Sequence, residues 1–303
     1  MTRLLITSGF RYTDIDALAC AVALEEAMSS AGCAARAVLT GPPNYSVPRR
    51  YRSDGVFSTP PPVGAWHLAL VDVSDPDQIP SFGSPAAVTK VYDHHAGFED
   101  YWRRRIGASN THIATVGAAA TLIWREIQDL GVASAISDEA YRRIAHAIVS
   151  NTCDMKLSIC TDDDRRALED CTARASLPLD WKDEYFAEID RAVLGDVVAA
   201  LRDDTKTIFS ASHGSLSVGQ LELHAQHIAE MNLGQIARTM SADHIVLISS
   251  HAQEKTVCLT RRSNIADVIS RYWGASVSRQ ADGLLVECDS LCLRKMLMPV
   301  LMA

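Results

Sequence analysis

Three short apolar segments in the first hundred residues each stop at acidic side chains, and this repeated pattern most restricts the possible folds. They open the runs LLITSGFRYTDIDALACAVALEEAMSSAG (4–32), WHLALVDVSDP (66–76) and VTKVYDHHAG (88–97). The first run continues into a helix that Gly32 ends, whereas Pro76 forbids continuation of the second strand and Gly97 follows the polar cluster of the third. The pattern predicts an α/β fold with a doubly wound parallel sheet.

The acids at these strand ends are expected to lie close together. Asp14 and Asp16 occupy the first strand-to-helix turn, Asp72 ends the second strand, and Asp93-His94-His95 follows the third strand, predicted as Val88 to Tyr92. In a doubly wound sheet the carboxyl ends of the strands form the edge where ligands usually bind. Each residue alone has an ordinary explanation as a helix cap, a turn acid or a loop histidine. Like charges gathered from three strands indicate a cation.

The order and spacing of DIDALA, VDVSDP and YDHHAG resemble motifs I to III of the DHH phosphoesterase superfamily. The resemblance implies a hydrolase of phosphoanhydrides or phosphoesters that uses two metal ions, commonly Mn2+. By position, it implies that the metal ligands include Asp14, Asp16, Asp72 and His94. It further implies that His95 contacts the substrate phosphate and that the acid of the Asp93-His94-His95 catalytic triplet supports the site. Oxygen-rich ligands with one imidazole suit Mn2+ or Mg2+ better than Zn2+.

The mechanism implied is attack on phosphorus by a water that bridges two cations about 3.5–4 Å apart. Asp72 is the predicted bridging ligand. His95 is predicted to hydrogen-bond the phosphate or to protonate the leaving oxygen.

Two positions depart from the family pattern. The first motif normally begins with a metal-binding histidine, and Phe10 stands there. The fourth motif normally ends in an acid followed by threonine, and AHAIVSNTCDMK (145–156) has Asn151-Thr152 instead. Asn151 is predicted to be a weaker metal ligand, and Asp154 is either its substitute or a plain turn acid. Lys156 is a candidate phosphate contact.

The intact acids and histidines favour a metal-dependent phosphohydrolase acting on a small phosphorylated substrate or nucleotide, with one or two Mn2+ or Mg2+ ions. Phe10 and Asn151 leave its activity open. They favour the alternative of a catalytically weak or inactive relative that binds a nucleotide or phosphate as a sensor or scaffold.

A chain of 303 residues, 48% hydrophobic and 22% charged, is long and apolar enough for two globular domains. The predicted division is a metal-binding phosphoesterase domain over 1–185 and a smaller mixed α/β substrate-binding domain over 190–303, with a cleft between them. Helices are predicted within 116–131, 136–152, 160–177 and 176–192.

The second domain carries another resemblance. LTRRSNIADVISRYWGASVSRQADGLLV (259–286) is similar, without gaps, to the accessory domain called DHHA1. Arg262-Ser263 matches its arginine-serine pair, Trp273-Gly274 the entry to its substrate loop, and Ala281 and Gly283 the exit. Four residues, 275–278, replace the family's GGGH sequence, which removes the glycines that let backbone NH groups approach a phosphate.

Arg262, Ser263 and Arg279 are the substrate-binding candidates of this domain, with a solvated surface role as the other interpretation of Arg279. A rival alignment matches Arg294-Lys295 with the basic phosphate-binding signature of manganese pyrophosphatases, although a cation at a helix end is the better explanation of a two-residue match.

Three other histidines are weaker candidates. His112 is either a cleft residue or a loop residue. His224 and His227 have the spacing of a metal pair, but a surface position explains them as well.

The composition restricts partners and compartment. A net charge of -8 argues against general duplex nucleic-acid binding. The expected partners are a small phosphorylated molecule, a nucleotide or a short oligonucleotide, with a homodimer as a further option. Eight cysteines without a C-x-x-C pair predict reduced thiols in a cytoplasmic protein. No signal peptide or membrane span is expected.

Overall fold

The computed structural model describes residues 3–58, 64, 66–225, 228, 231–280 and 282–302. The chain divides into two compact units, Met1–Lys182 and Asp183–Ala303. His227 and Ala281 of the sequence predictions lie outside the described residues.

The first unit is built on a five-stranded, entirely parallel sheet with the order β2-β1-β3-β4-β5. The chain leaves β1, the second strand of the sheet, crosses to the edge strand β2 on one side, and then adds the remaining strands on the other side. This order places the carboxyl ends of β1, β3 and β4 beside one another, as the doubly wound prediction requires. The strands are β1 (Arg3–Thr7), β2 (Ala34–Ala37), β3 (His67–Val71), β4 (Val88–Asp93) and β5 (Thr111–Ile113).

The third predicted strand is one residue longer than expected. Asp93 belongs to β4, because it pairs with Ile113 of β5 and its carbonyl accepts a hydrogen bond from the amide of Ala114 at 3.1 Å. The acid of the Asp93-His94-His95 triplet is therefore held in the sheet, whereas the two histidines follow it in the loop.

Helices cover this sheet, and their caps follow the sequence signals. The helices are α1 (Ile15–Ser30), α2 (Gly55–Ser58), α3 (Glu99–Ile106), α4 (Ala119–Asp129), α5 (Asp138–Asn151) and α6 (Asp162–Arg174). Ser137 caps α5 and Thr161 caps α6, each by accepting a backbone hydrogen bond with its hydroxyl. Gly131 follows α4 with φ 68°, in the left-handed conformation that glycine tolerates.

The helix predicted over 116–131 begins later than expected. Residues 116–118 precede α4, and Ala118 is extended with φ -136° and ψ 145°. The prediction failed there because the backbone groups of this segment bond to side chains distant in sequence, as described below.

The second unit contains a six-stranded mixed sheet with the order β10-β11-β9-β8-β7-β6. Only β7 and β8 pair in parallel; the other neighbours are antiparallel. The predicted hairpin at His213-Gly214 is present, and Gly214 takes φ 73° at its turn. The strands are β6 (Thr205–Ser210), β7 (Gly214–Leu223), β8 (His244–Ser250), β9 (Lys255–Thr260), β10 (Val277–Gln280) and β11 (Gly283–Cys288).

The remaining helices are α7 (Trp181–Gly195), α8 (Val197–Asp203), α9 (Leu233–Thr239), α10 (Ser263–Trp273) and α11 (Arg294–Met302). The α/β fold class, with a parallel sheet in the larger unit and a mixed sheet in the smaller one, is confirmed.

Each unit has its own apolar core. In the first unit the sheet packs against α3 around Trp102, which is fully buried. In the second unit β7, β8 and β9 pack against α10 and α11 around Leu247. All eight cysteines are in the thiol form. Among the described residues, none of the helices has the length and apolar character needed to cross a bilayer.

Candidate metal centre

The predicted acids and histidines of the first unit gather at the carboxyl edge of its sheet. Asp72 follows β3 and Asp93 ends β4, while Asp14 and Asp16 lie at the start of α1 after β1. The parallel sheet order makes these three positions neighbours.

His94 is oriented by two backbone carbonyls. Its Nδ1 lies 3.1 Å from the carbonyl oxygen of Gly117 and 3.3 Å from that of Val116. Because a carbonyl only accepts, Nδ1 carries the hydrogen and Nε2 faces the acids. Nε2 lies 3.4 Å from Oδ1 of Asp72 and 3.9 Å from Oδ2 of Asp16, and the side chain is 2% exposed. This is the orientation of a metal-binding histidine.

Asp16 is fully buried and lies at the amino end of α4. Its two carboxylate oxygens accept hydrogen bonds from the amides of Ala119 and Ala120, each at 2.8 Å. The positive end of the helix dipole therefore stabilises the buried charge. The sulfur of Cys20 lies 3.6 Å from Oδ1 of Asp16. Burial and the charge of Asp16 raise the pKa of this thiol well above its usual range.

Asp72 has an unusual backbone conformation for a residue with a side chain. Its φ of 54° lies in the left-handed region, which aspartate tolerates better than most residues but at some cost. Its amide still donates to the carbonyl of Tyr92 at 2.8 Å and so continues the ladder between β3 and β4.

Asp93 organises both histidines. Its Oδ1 accepts from the amides of His94 and His95, at 2.8 and 3.2 Å, and lies 2.8 Å from Nδ1 of His95. Burial alone would raise the pKa of the Asp93 carboxyl. The charge of His95 and the hydrogen bonds from His95 and Ser74 have the larger effect, so the pKa is lower than its usual value. Asp93 is thus an anion that fixes the His95 ring and directs Nε2 away from itself.

Asp72, His94 and His95 form a group whose ligand atoms all lie within 4.8 Å of one another. Carboxylate oxygens and an imidazole lone pair that face the same space repel one another unless a cation lies between them. Oxygen donors with imidazole suit Mn2+ or Mg2+. The residues present therefore fit a divalent cation, with Asp16 beside the group.

Asp14 and Phe10 are the first-motif positions that concern a second ion. Asp14 is the N-cap of α1 and accepts from the amide of Ala17 at 2.9 Å. It does not belong to the group of Asp72, His94 and His95. Phe10 is 45% exposed and offers only carbon. The predicted ligands of a second ion are therefore less well assembled than Asp72 and His94.

The altered fourth motif follows α5. Asn151 is the last residue of that helix, and its side-chain nitrogen Nδ2 lies 3.4 Å from the carbonyl oxygen of Ala147. Asp154 forms a 2.6 Å ion pair with Lys182, and it too lies outside the three-residue group. Lys156 is exposed. The ion pair favours the interpretation of Asp154 as a turn acid over that of a substitute ligand.

Residues 153–155 after this motif are all left-handed, with φ of 49°, 53° and 63°. Thr152 supports the turn: its hydroxyl donates to the carbonyl of Ile148 and accepts from the amide of Met155.

The substrate-binding candidates of the second unit surround the start of α10. Arg262 is the N-cap of this helix, and its guanidinium donates to the carbonyl of His213 at 2.9 Å; Ser263 is the first helical residue. Arg279 lies on the exposed strand β10. Gly274 ends α10 with φ 65°.

Arg294, from the rival alignment, is 8% exposed and forms a 2.8 Å ion pair with Asp204. It also donates to the carbonyl of Val218 at 3.2 Å. Arg294 thus joins the start of α11 to β7, which is a structural role within the second unit.

Two of the other histidines pack against aromatic rings. His112 lies on β5 and stacks on Tyr92 with ring centroids 4.5 Å apart, and burial lowers its pKa. His224 stacks on Phe186 at 4.1 Å. Packing was not among the sequence alternatives, which were a cleft or loop residue for His112 and a metal pair or a surface position for His224; His112 lies on a strand and not in a loop.

Sequence reasoning missed the groups that hold the metal ligands in place. The carbonyls of Val116 and Gly117, the amides of α4 and the buried carboxylate of Asp164 all act across long sequence separations. The small residues before α4 were the available signal, because they allow a close approach of the backbone.

Comparison with known proteins supports the family resemblance. No protein-family model matches the chain. A probable manganese-dependent inorganic pyrophosphatase of Lactobacillus helveticus is 29% identical over 174 residues, covering 53% of this chain and 51% of that protein. Its counterpart in Lactobacillus acidophilus is 28% identical over 192 residues, covering 59% and 57%. The chain thus spans only about half the length of these curated relatives.

Solved structures share the fold over nearly the full chain. A putative family II inorganic pyrophosphatase from Methanococcus jannaschii has a TM-score of 0.71 with 17% identity, covering 98% of both chains. An exopolyphosphatase-related protein from Bacteroides fragilis has a TM-score of 0.51 with 12% identity, covering 98% of this chain and 90% of the other.

Proposed function

We propose that this chain is a manganese-dependent hydrolase of phosphoanhydride bonds in a small phosphorylated substrate. The fold it shares with a putative family II inorganic pyrophosphatase and the resemblance of its N-terminal motifs to those of the DHH phosphoesterase superfamily support the proposal. One observation carries the proposal: Nε2 of His94 lies 3.4 Å from Oδ1 of Asp72 at the carboxyl edge of the sheet, and His95 lies beside this pair. The names of the sequence relatives support Mn2+ as the ion and pyrophosphate as the first substrate to test.

The side chains have distinct roles in this proposal. Asp72 and Nε2 of His94 hold the ion, and Asp16 lies close enough to His94 Nε2, at 3.9 Å, to join them. A bound divalent cation supplies Lewis acidity and neutralises charge on the phosphate oxygens. Because Asp93 accepts the hydrogen on Nδ1 of His95, Nε2 is the atom free to face the substrate, and a ring that carries both protons would donate from Nε2 a hydrogen bond or a proton to the leaving phosphate oxygen.

A second candidate function is binding of a phosphorylated ligand without fast hydrolysis. The specific observation in its favour is the combination of Phe10, which supplies no donor, with Asp154, which is paired with Lys182. We propose that one ion per chain binds well, because the donors for a second ion are incomplete. Binding of a short oligonucleotide and formation of a homodimer stay predictions.

Titration calorimetry with Mn2+ tests the metal site directly. Wild type should bind Mn2+, Asp72→Ala should not, and Asp77→Ala should bind like wild type, since Asp77 is an exposed acid on the turn that follows. The absence of heat for both Mn2+ and Mg2+ with the wild type would refute the proposal.

Turnover separates the two functions. Phosphate release is measured with Mn2+ from pyrophosphate, short polyphosphate, dinucleotides and nucleoside bisphosphates. Release from any of them that Asp72→Ala abolishes supports the hydrolase. Binding of a substrate with no release supports the sensor or scaffold.

A further inference from the structure

The direction of His94 Nε2 depends on a short segment before α4, Val116–Ala118, and not on β4 alone. The carbonyls of Val116 and Gly117 accept from Nδ1 at 3.3 and 3.1 Å, on the side of the ring opposite Asp72. An imidazole is rigid, so moving these carbonyls moves Nε2 as well. The question is what holds the segment in place.

Asp164 of α6 holds it directly. Its Oδ2 accepts from the amide of Gly117 at 2.9 Å, across 47 residues of sequence, and the side chain is completely buried. The amide and the carbonyl of Gly117 thus connect a buried carboxylate on one side with the His94 ring on the other.

Three further donors fix this carboxylate. Oδ2 also accepts from the amide and the hydroxyl of Thr161, each at 2.7 Å, and Oδ1 accepts from the hydroxyl of Thr121 at 2.6 Å. The bonds to Thr161 belong to the capping box of α6 and explain why an acid is present at this helix start. They do not explain the bond to Gly117, which serves a segment outside the helix.

Close packing at Gly117 agrees with a fixed segment. A Cβ atom at this position would lie 2.5 Å from Cγ2 of Thr152 and 3.1 Å from Oδ2 of Asp164. The segment therefore occupies a slot between α5 and α6 that only glycine fits, and its carbonyl has little freedom to move.

From this chain of contacts we propose that Asp164 is a positioning residue of the metal site. It holds the carbonyls of Val116 and Gly117 and, through them, the Nε2 atom of His94 that binds the ion. The proposal rests on the metal site of the proposed function, but its structural part concerns the metal-free protein as well. Groups that orient a metal-binding histidine through its other nitrogen commonly change metal affinity by about 10–100-fold.

The test compares Asp164→Ala with Thr121→Val. Both variants remove one or more hydrogen bonds of the same buried carboxylate, but Thr121→Val leaves the bonds to Gly117 and Thr161 intact. Asp164→Ala is expected to weaken Mn2+ binding by about 10–100-fold in calorimetry. Thr121→Val is expected to bind Mn2+ as tightly as wild type, even if its thermal stability falls.

A second measurement uses the metal-free protein. In nuclear magnetic resonance spectra, the Nδ1 proton of His94 should exchange slowly with water in wild type and in Thr121→Val, because two carbonyls hold it and the ring is buried. In Asp164→Ala this proton, and the amide proton of Gly117, should exchange rapidly. This readout does not require that the protein bind a metal, so it still tests the positioning role if the proposed function fails.

Asp164→Asn should rescue much of the effect. Its amide oxygen can still accept from Gly117 and Thr161, while its amide nitrogen donates to the hydroxyl of Thr121, which can also accept. Mn2+ affinity should therefore lie near that of wild type and well above that of Asp164→Ala.

Equal Mn2+ affinity and equal Nδ1 exchange in Asp164→Ala and wild type would overturn the proposal. So would equal losses in Asp164→Ala and Thr121→Val, because that pattern indicates general destabilisation. If Asp164→Ala does not fold, Gly117→Ala moves the same carbonyl with Asp164 intact, and wild-type values of both readouts in that variant would overturn it.

Discussion

His146 should make the first unit lose stability in mild acid. The residue lies on α5, is 6% exposed, and its ring packs against Trp181 with centroids 5.4 Å apart. Burial, followed by the nearby charges of Arg50, Arg142 and Arg143, lowers its pKa from 6.5 to about 3. The folded protein therefore keeps this imidazole neutral at pH values where the unfolded chain protonates it.

The sign and size of the effect follow from linkage. Between pH 6.5 and about 3 the unfolded state binds the additional proton, so the free energy of unfolding falls as the pH falls. A pH of 5 lies about 1.5 units below the pKa of the unfolded state. At about 1.36 kcal/mol per unit, protonation of the unfolded state then lowers the free energy of unfolding by about 2 kcal/mol. Above pH 7 His146 contributes no pH dependence.

Urea denaturation in the presence of a chelator, at pH 8 and pH 5, measures this quantity in wild type and His146→Asn. The substitution removes the titration and can retain an acceptor near the hydroxyl of Tyr51, which lies 3.2 Å from Nδ1. Any constant cost of the smaller side chain cancels, because only the change between the two pH values is compared. Wild type should lose about 2 kcal/mol more than the variant. Parallel pH profiles would refute the reasoning.

Two further predictions concern the other unit and the second ion. Burial, followed by the charge of Asp204, raises the pKa of Glu222 from 4.5 to about 7. Lys295, Arg294 and Gln220 oppose this shift without cancelling it. Between these two pKa values the folded state retains a proton that the unfolded state releases. The contribution of Glu222 to stability falls as the pH rises from 4.5 to 7. The free energy of unfolding of Glu222→Gln, measured by urea denaturation relative to wild type, should therefore be about 3 kcal/mol higher at pH 8 than at pH 4.5. The same difference between variant and wild type at both pH values would contradict this. Phe10→His supplies the missing imidazole, and calorimetry should then show about two Mn2+ ions per chain in place of one; unchanged stoichiometry would contradict the account of the incomplete second site.

The fold and the outline of the site were predictable because they depend on local patterns. Each apolar segment that ends in an acid is a strand, and the strand order then fixes which edge collects the acids. The start of α4 was not predictable, because residues 116–118 bond to His94 and Asp164 and not to the helix. No periodicity records a contact across 47 residues.

Individual side-chain roles were less predictable than positions. Asp14 and Asp16 belong to the same motif, yet one caps its own helix and the other holds two amides of α4, 103 and 104 residues away. Arg294 has the sequence context of a phosphate contact and is paired with Asp204 in the structure. Such outcomes depend on which donors the tertiary fold brings near, and this information is absent from a linear pattern.

The acids of the site differ in what the fold itself gains from them. Asp16 holds two buried amides, so Asp16→Ala should cost at least about 2 kcal/mol in the metal-free protein as these donors lose their acceptor. Asp72 instead adopts φ 54°, a conformation that costs about 1 kcal/mol or more for most residues with a side chain and that glycine adopts freely.

Asp72→Gly should therefore leave the free energy of unfolding of the metal-free protein within about 1 kcal/mol of wild type while abolishing Mn2+ binding. Urea denaturation with a chelator and calorimetry with Mn2+ measure the two quantities on the same preparation. A large loss of stability would mean that Asp72 is retained for folding. Unchanged stability together with lost Mn2+ binding would instead indicate that Asp72 serves ion binding and not folding. Folding alone gives no advantage to a carboxylate held in this conformation.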